Sequence, residues 1–380
     1  MATNNKIYLS AFFACISSNA MALDPAALDF EGAEITPTLG LAGTYDSNYS
    51  TSNVSQSSWI TSITPAVSVI FFGDKSEYEL EYVLNHQIYE AKEAQSLTNQ
   101  YFQASANFDI DIQNQLAINS GITKTENAAN TFTLGTLNAF TETSIGAGYT
   151  YGAPNATGNI ELGLNRITYR SDNSANGLYE YDSNQLNAAF IYKVTDKTKL
   201  TAEIEAADFD YVINDGLDGQ NIAYLLGARW ESTAKTTGYA KIGTQTKNFD
   251  QAGKDSRDIT NWELSVDWAP KTYSVVTLKT NQKIVEGTYA ADYTDYINNS
   301  ISWKHDWGRG YTSKLNFNNF EKDYSSGRLD STYAYGLGIK YEAKRWMDIS
   351  LDYQHSNQDS TDLNYDYDRD IIQLTVDLSL

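Results

Sequence analysis

Cysteine is nearly absent from this chain of 380 residues, since Cys15 is the only one. It lies within residues 1–22, which have the pattern of a secretory signal peptide: an early lysine, an apolar stretch over 7–16 and Ala20-Met21-Ala22 at the cleavage position. The mature chain is therefore predicted to contain no disulfide, no thiolate nucleophile and no cysteine-ligated metal.

Long apolar runs, excess positive charge and catalytic signatures are missing as well. No stretch of 18 apolar residues occurs, so no helix is predicted to span a membrane. The formal net charge of −21 argues against nucleic acid as a partner, because phosphates require cations. The three histidines stand apart, and HExxH, GxSxG and phosphate-loop motifs are absent. We therefore expect neither an enzyme nor a bound cofactor or metal.

Acidic residues leave two alternatives to consider. Glu203 and Glu205 have the residue types of a glycosidase pair, but acids recur on so many segments that a solvated wall explains them better. The acidic stretch from Asp359 to Asp370 could hold Ca²⁺, but it lacks the glycine and terminal glutamate of an EF-hand loop. A solvated outer loop is the favoured interpretation.

The chain consists instead of segments in which apolar and polar residues alternate. From Ile372 to Leu380 every second residue is aliphatic, and each residue between is polar. The same alternation recurs in segments that start near Tyr78, Phe102, Leu200, Trp262, Tyr333 and Met347. A strand turns successive side chains to opposite faces, and no helical stretch is available to cover the apolar faces. We predict that these faces meet lipid.

Short turns alternate with nine longer, polar connections. This asymmetry is typical of an outer-membrane barrel. The predicted fold is all-β: a transmembrane antiparallel up-and-down β-barrel of about 18 strands, with both termini periplasmic, in the outer membrane of a Gram-negative bacterium. Sixteen strands remain possible, because the pattern is weak over 136–143 and 271–286. The predicted division is a signal peptide (1–22), a short periplasmic lead (23–33) and a single barrel (34–380).

A barrel of this size has a lumen too wide to fill with side chains, so the polar residues that alternate with the apolar ones are predicted to line a pore. The acids predicted to line the pore are Glu79, Glu81, Asp109, Asp111, Glu161, Glu203, Glu205, Glu263, Asp267, Asp348, Asp352 and Asp377. The predicted pore-lining cations are Lys199, Arg229, Lys304, Lys314 and Lys340. Such a negative lumen favours cations and neutral solutes over anions.

Tryptophans gather beside the predicted connections. Trp230, Trp268, Trp307 and Trp346 flank short turns, whereas Trp59 and Trp262 lie towards the long-loop end of their segments. Because indole is amphipathic and settles at the headgroup level, these six residues are predicted to form two aromatic girdles.

The two ends of the barrel segment carry a family resemblance. The stretch from Leu39 to Asn48 contains Gly-Thr-Tyr-Asp-Ser-Asn, and Tyr367-Asp368-Arg369-Asp370 precedes the last aliphatic strand. These stretches resemble the opening and closing strands of outer-membrane β-barrel porins associated with surface-polysaccharide gene clusters, of the beta-barrel porin 2 type. The terminal Leu380 departs from the aromatic residue that usually ends such barrels.

The resemblance implies export of an exopolysaccharide or capsular polysaccharide, with a periplasmic polysaccharide-export protein as partner. It also implies insertion by the barrel-assembly machinery and contact with outer-membrane lipid and lipopolysaccharide. Tyrosines near the long loops could stack on sugar rings or belong to the outer girdle: Tyr289, Tyr293, Tyr296, Tyr324 and Tyr365. The alternatives are a general cation-preferring diffusion porin for small solutes and an adhesion barrel with a closed lumen.

Overall fold

The structure is a computed structural model that describes residues 28–127, 138–172, 174–233, 235–287 and 291–379. The predicted signal peptide and Leu380 lie outside these residues. The described strands are β1 (Leu28–Phe30), β2 (Ala33–Asp46), β3 (Ser58–Phe72), β4 (Ser76–Tyr89), β5 (Leu97–Asp109), β6 (Asn114–Asn127), β7 (Asn138–Tyr151), β8 (Gly158–Ser171), β9 (Tyr181–Thr195), β10 (Thr198–Tyr211), β11 (Gly219–Thr233), β12 (Thr236–Phe249), β13 (Arg257–Lys271), β14 (Ser274–Glu286), β15 (Tyr293–Gly308), β16 (Tyr311–Tyr324), β17 (Leu329–Lys344), β18 (Met347–Ser360) and β19 (Tyr367–Ser379). Short 3₁₀ segments cover Ser174–Tyr179, Asp215–Leu217 and Leu363–Tyr365. None of the helical segments among the described residues is long and apolar enough to cross a membrane.

The strands β2 to β19 form a closed antiparallel barrel. Each strand pairs with the next one along the chain, and β19 pairs back onto β2 from Ile371 opposite Asp46 to Ser379 opposite Thr38. Closure leaves no long unpaired edge, as a sheet surrounded by hydrocarbon requires. The predicted 18-stranded barrel is confirmed, and sixteen strands are excluded because the two weakly patterned regions form β7 and β14.

The short strand β1 is an addition to this barrel. It pairs with Ala33–Ile35 of β2, just beyond the point where β19 stops. The intervening turn has positive φ at both Glu31 (53°) and Gly32 (86°), which is the geometry of a type I′ hairpin turn. Part of the predicted periplasmic lead (23–33) is thus a hairpin on the barrel edge.

Connections of two classes leave opposite ends of the barrel. The described residues of the longer set are 47–57, 90–96, 172, 174–180, 212–218, 250–256, 287, 291–292, 325–328 and 361–366. Those of the shorter set are 73–75, 110–113, 152–157, 196–197, 235, 272–273, 309–310 and 345–346. The chain enters the barrel at the start of β2 and leaves it at the end of β19, and both points lie at the end with the shorter turns. The turn 110–113 ends β5 before Asp111, which the sequence pattern places on the pore wall.

Asp111 ends that strand for a local reason. Its Oδ1 accepts hydrogen bonds from the backbone N–H of Gln113 (2.7 Å) and of Asn114 (3.0 Å), which closes an Asx-type turn. These hydrogen bonds, with the side chain of Asn114, hold the pKa of Asp111 below its usual value. The prediction that Asp111 continues the strand wall is wrong, because the residue caps a turn outside the strands.

The apolar parity of the strands is exposed rather than packed into a core. On β17, the side chains of Tyr333, Tyr335, Leu337 and Ile339 are 44–51 % exposed, whereas Ala334 between them is buried. The same pattern continues on other strands, so the exposed apolar surface is continuous around the barrel. Lipid, not water, is the solvent that suits such a surface.

The two stretches that carried the family resemblance meet where the barrel closes. The guanidinium of Arg369 on β19 donates to both carboxylate oxygens of Asp46 on β2 at 2.5–3.1 Å. The buried Asn48 donates from Nδ2 to the backbone oxygen of Asp368 at 3.1 Å. We call Asp46, Asn48 and Arg369 the seam clasp. It joins the first and last barrel strands at the long-loop end.

Candidate functional site

The face of the strands that points into the lumen is identified by contacts between strands that are not neighbours. Arg229 on β11 contacts Glu161 on β8 at 3.6 Å, across two intervening strands. Side chains on the outside of a closed barrel diverge, so such contacts belong to the concave inner face. This face alternates with the exposed apolar residues on every strand involved.

The pore-lining residues predicted from the sequence can now be placed. On the lumen face of their strands lie Glu79, Glu81, Asp109, Glu161, Lys199, Glu203, Glu205, Arg229, Glu263, Asp267, Lys304, Lys314, Lys340, Asp348, Asp352 and Asp377. Asp111 is the exception described above. The alternation that places apolar side chains on the outer face therefore also places these charged side chains on the inner face.

The tryptophans predicted to form girdles lie on the opposite face or in turns. The exposed fractions of Trp59, Trp268 and Trp307 are 57, 50 and 63 %. Trp230 and Trp262 share the outward parity of β11 and β13. Trp346 lies in the turn 345–346 and is 50 % exposed.

Part of the lumen wall is a network of paired charges on β8 to β13. The carboxylate of Glu203 contacts Arg229 at 3.2 Å and Lys241 at 2.6 Å. Lys241 also lies 3.5 Å from Glu263, which accepts a hydrogen bond from Tyr239. The predicted acids of this sector are thus largely neutralised by cations, including Lys241, which the sequence-based list did not contain.

The barrel wall is split near the long-loop end, between β13 and β14. Their ladder ends where Trp262 pairs with Gln282, although β14 continues to Glu286 and stays paired with β15. The buried amide of Gln245 on β12 replaces the lost ladder: its Oε1 accepts from Ile284 N at 2.9 Å, and its Nε2 donates to Ile284 O at 3.2 Å. Residues 283–286, here called the tucked segment, therefore lie inside β12 and β13.

Glu286 anchors the end of the tucked segment. Lys247 on β12 contacts both oxygens of its carboxylate at 2.8 and 2.9 Å, and the lysine side chain is 0 % exposed. The hydroxyl of Tyr211 on β10 donates to Glu286 at 2.7 Å, and Asn221 on β11 donates at 2.9 Å. One carboxylate thus joins three successive strands across the inner face. The neighbouring β15 contributes Asp295, which accepts from Arg257 Nε at 2.9 Å.

This overlap narrows the lumen. Tyr211, Phe209 and Leu217 are 2–7 % exposed although the first two lie on the lumen face. Lumen-facing side chains in an open pore would be wet, so the tucked segment and its neighbours cover this part of the wall. An extra layer of chain inside a sheet occupies about 10 Å, a large part of the width of such a pore.

Charges of opposite sign dominate opposite walls. The lumen face of β4 to β7 carries Glu77, Glu79, Glu81, Asp109 and Glu142, and the described residues of these strands place no lysine or arginine there. The lumen face of β14 to β16 carries Lys279, Lys283, Lys304, Lys314 and Lys322, with Asp306 as the acid among them. β14 is nine positions from β5 in a ring of 18, so the two sets face each other across the lumen.

The lysines of β14 were missed because that strand has the weakest alternation of the chain. Its sequence, Ser-Val-Val-Thr-Leu-Lys-Thr-Asn-Gln-Lys, places polar residues on both parities. The registers of β14 with β13 and β15 show which of its residues face the lumen, and the sequence alone does not show this. The sequence predicts a lumen of net negative charge with some cations, and the registers add that acids and lysines gather on two opposed walls.

The loop residues considered as ligand sites have structural partners. Arg328 lies between the rings of Tyr324 and Tyr365, 3.8 and 3.9 Å from their centroids, and contacts Asp330 at 3.1 Å. In the acidic stretch, Asp370 contacts His355 at 2.9 Å. No grouping of three potential metal-ligating side chains is found within the described ranges. Tyr289 lies outside them.

Comparisons with known proteins agree with this architecture. The family model described as "Putative beta-barrel porin 2" matches residues 34–380. No curated protein matches the sequence.

Solved structures with similar folds share little sequence with this chain. OpdK of Pseudomonas aeruginosa, solved with vanillate, is 11 % identical over 91 % of this chain and 98 % of its own, with a TM-score of 0.51. OccK2 (OpdF) of the same organism, in complex with glucuronate, is 11 % identical over 92 % and 99 %, with a TM-score of 0.52. The FrpB iron transporter of Neisseria meningitidis, as apoprotein, is 11 % identical over 87 % of this chain, with a TM-score of 0.54. The chain spans 62 % of the length of that transporter.

Proposed function

Because the chain belongs to the Putative beta-barrel porin 2 family and is an outer-membrane β-barrel porin, we propose that it is a diffusion pore for small polar solutes. The observation that carries the proposal is the lumen itself: acids on β4 to β7 face lysines on β14 to β16, beside a wall thickened by the tucked segment. Small charged or dipolar solutes can align in the field between such walls, whereas a bulky polymer meets the narrowing.

The fold comparisons support small solutes as cargo. OpdK was solved with vanillate and OccK2 with glucuronate, both of them small molecules, and both structures cover nearly the whole chain. At 11 % identity this likeness concerns the fold, so the cargo of our protein is inferred from its own lumen charges.

Single-channel recording in a planar bilayer tests the proposal. We expect stable current steps from the purified barrel, and opposite shifts of the reversal potential in a salt gradient for Glu81→Gln and Lys279→Gln, because they remove charges of opposite sign from opposite walls. Glu321→Gln, which changes an exposed acid on the outward parity of β16, is the matched control and should shift it least. A barrel that carries no current, or two variants that shift selectivity in the same direction, would contradict the proposal.

Polysaccharide export with a periplasmic partner is a second candidate. The observation in its favour is a pair of aromatic stacks on the lumen face: Tyr169 on Tyr181, 5.4 Å apart, and Tyr296 on Phe320, 6.2 Å apart. Aromatic faces are suitable surfaces for the apolar faces of sugar rings. Deleting the gene should then stop release of an extracellular polymer while its synthesis continues, and unchanged release would reject this candidate.

A further inference from the structure

Two lysines on the lumen face oppose each other directly in the sheet. Lys304 on β15 is the register partner of Lys314 on β16, and both side chains are exposed to the lumen. Among the described residues, no carboxylate forms an ion pair with either ammonium within 4.0 Å. Like charges in directly opposed positions destabilise a sheet, so this pair is unfavourable for the fold.

Several cations of the lumen face on other strands are paired with acids. Arg229, Lys241, Lys247, Lys340 and Arg369 each contact at least one carboxylate at 3.6 Å or less. Lys279 on β14 and Lys322 on β16 form no ion pair within 4.0 Å among the described residues either, but their register partners are not cations. Lys304 and Lys314 differ from them because the two ammonium groups are placed side by side. A ligand that supplies the missing negative charge would account for the pair.

The surroundings of the pair define the shape of such a ligand. The next residue in the same row is Gly338, followed by Asp352, and an added Cβ at Gly338 would lie 2.3 Å from Asp352 Oδ1. The glycine thus leaves room for the carboxylate of Asp352, which leans over it on the Lys314 side of the row. Towards the short turns, Asp306 is the acid of the adjoining row. The adjoining row towards the long loops carries Ser302 and Asn316, which offer a hydroxyl and an amide.

We propose that Lys304 and Lys314 form a binding site for the carboxylate of a small hydroxylated solute, with Ser302 and Asn316 placed for its hydroxyl groups. The proposal rests on the proposed pore function and names the class of solute that pauses in the pore. Two lysines provide charge-assisted hydrogen bonds to the two oxygens of one carboxylate. Asp352 repels a second carboxylate, so a monocarboxylate fits better than a dicarboxylate.

Isothermal titration of the purified, full barrel with gluconate tests the site, and sorbitol is the matched ligand because it replaces the carboxylate by an alcohol. We expect gluconate to bind and sorbitol not to bind. In the double variant Lys304→Gln/Lys314→Gln the affinity for gluconate should fall about tenfold or more. Lys199→Gln removes a lumen lysine from the distant β10 and should weaken binding less than the double variant.

Unfolding in denaturant accompanies the titration. Because the double variant removes a like-charge pair, it should unfold at the same or a higher denaturant concentration than the wild type, so lost binding cannot be ascribed to lost fold. Equal gluconate affinity in wild type and double variant, no gluconate binding at all, or equal displacement by chloride at the same concentration would overturn the site.

The pore and the site can fail separately. A barrel that conducts in the bilayer but does not bind gluconate keeps the pore function and rejects the carboxylate site. A barrel that binds gluconate through these lysines but carries no current keeps the site and rejects the pore function.

Discussion

At the scale of single residues, the two short motifs at the ends of the barrel segment contact each other in the folded barrel. Asp46 and Arg369 lie 323 positions apart and form the centre of the seam clasp. The carboxylate of Asp46 is 1 % exposed, so its charge depends on the guanidinium for compensation. The motifs could be recognised in the sequence, but their mutual contact could not, because it exists only once the barrel has closed.

Arg369→Leu should therefore destabilise the barrel by about 3–5 kcal/mol, since it leaves a buried carboxylate without its partner. The measurement is the denaturant midpoint of the barrel in detergent, followed by tryptophan fluorescence. Arg345→Leu, an exposed arginine in the turn 345–346, is the matched control and should stay near the wild type. The added change Asp46→Asn should recover part of the loss. Equal midpoints for Arg369→Leu and the control would show that the clasp does not hold the seam.

At the scale of elements, the tucked segment is the feature least visible in the sequence. Its side chains Ile284 and Glu286 have the outward parity of β14, and in a regular barrel they would face lipid. Instead, the side chain of Ile284 is buried and the carboxylate of Glu286 contacts Lys247, because the end of β14 lies inside β12. A strand pattern predicts which side of a strand is polar, but it does not predict that one strand end overlaps another.

Glu286→Ala should release the tucked segment, because it removes the contacts with Lys247, Tyr211 and Asn221 together. The single-channel conductance should then rise, by about twofold if the cross-section gains the space of one layer of chain. Gln245→Ala, which removes the two amide contacts to Ile284, provides a second variant with the same expected direction. Glu321→Gln serves again as the charge control. Conductance at the wild-type level in both Glu286→Ala and Gln245→Ala would mean that the segment does not limit the current.

At the scale of the whole molecule, the alternating pattern was sufficient to predict the barrel, a strand number of 18 or 16, and the separation of longer and shorter connections to opposite ends. These properties depend on local alternation and turn residues, which a single sequence contains. The opposed charged walls needed the register of β14, and the paired network around Glu203 needed the closure of the ring. The exposed apolar band of the barrel agrees with its place in the outer membrane.

The fold and the pore both depend on the orientation of the strands: apolar side chains contact lipid, and the charged side chains between them contact water in the lumen. The mature chain is expected to lack cysteine, so single cysteines can report on it directly. Neighbouring substitutions on two strands, Leu80→Cys beside Glu81→Cys and Ile339→Cys beside Lys340→Cys, are reconstituted in liposomes and treated with a small, charged, water-soluble maleimide. We predict rapid labelling at 81 and 340 and almost none at 80 and 339, and the reverse order, or equal labelling within each pair, would contradict this orientation.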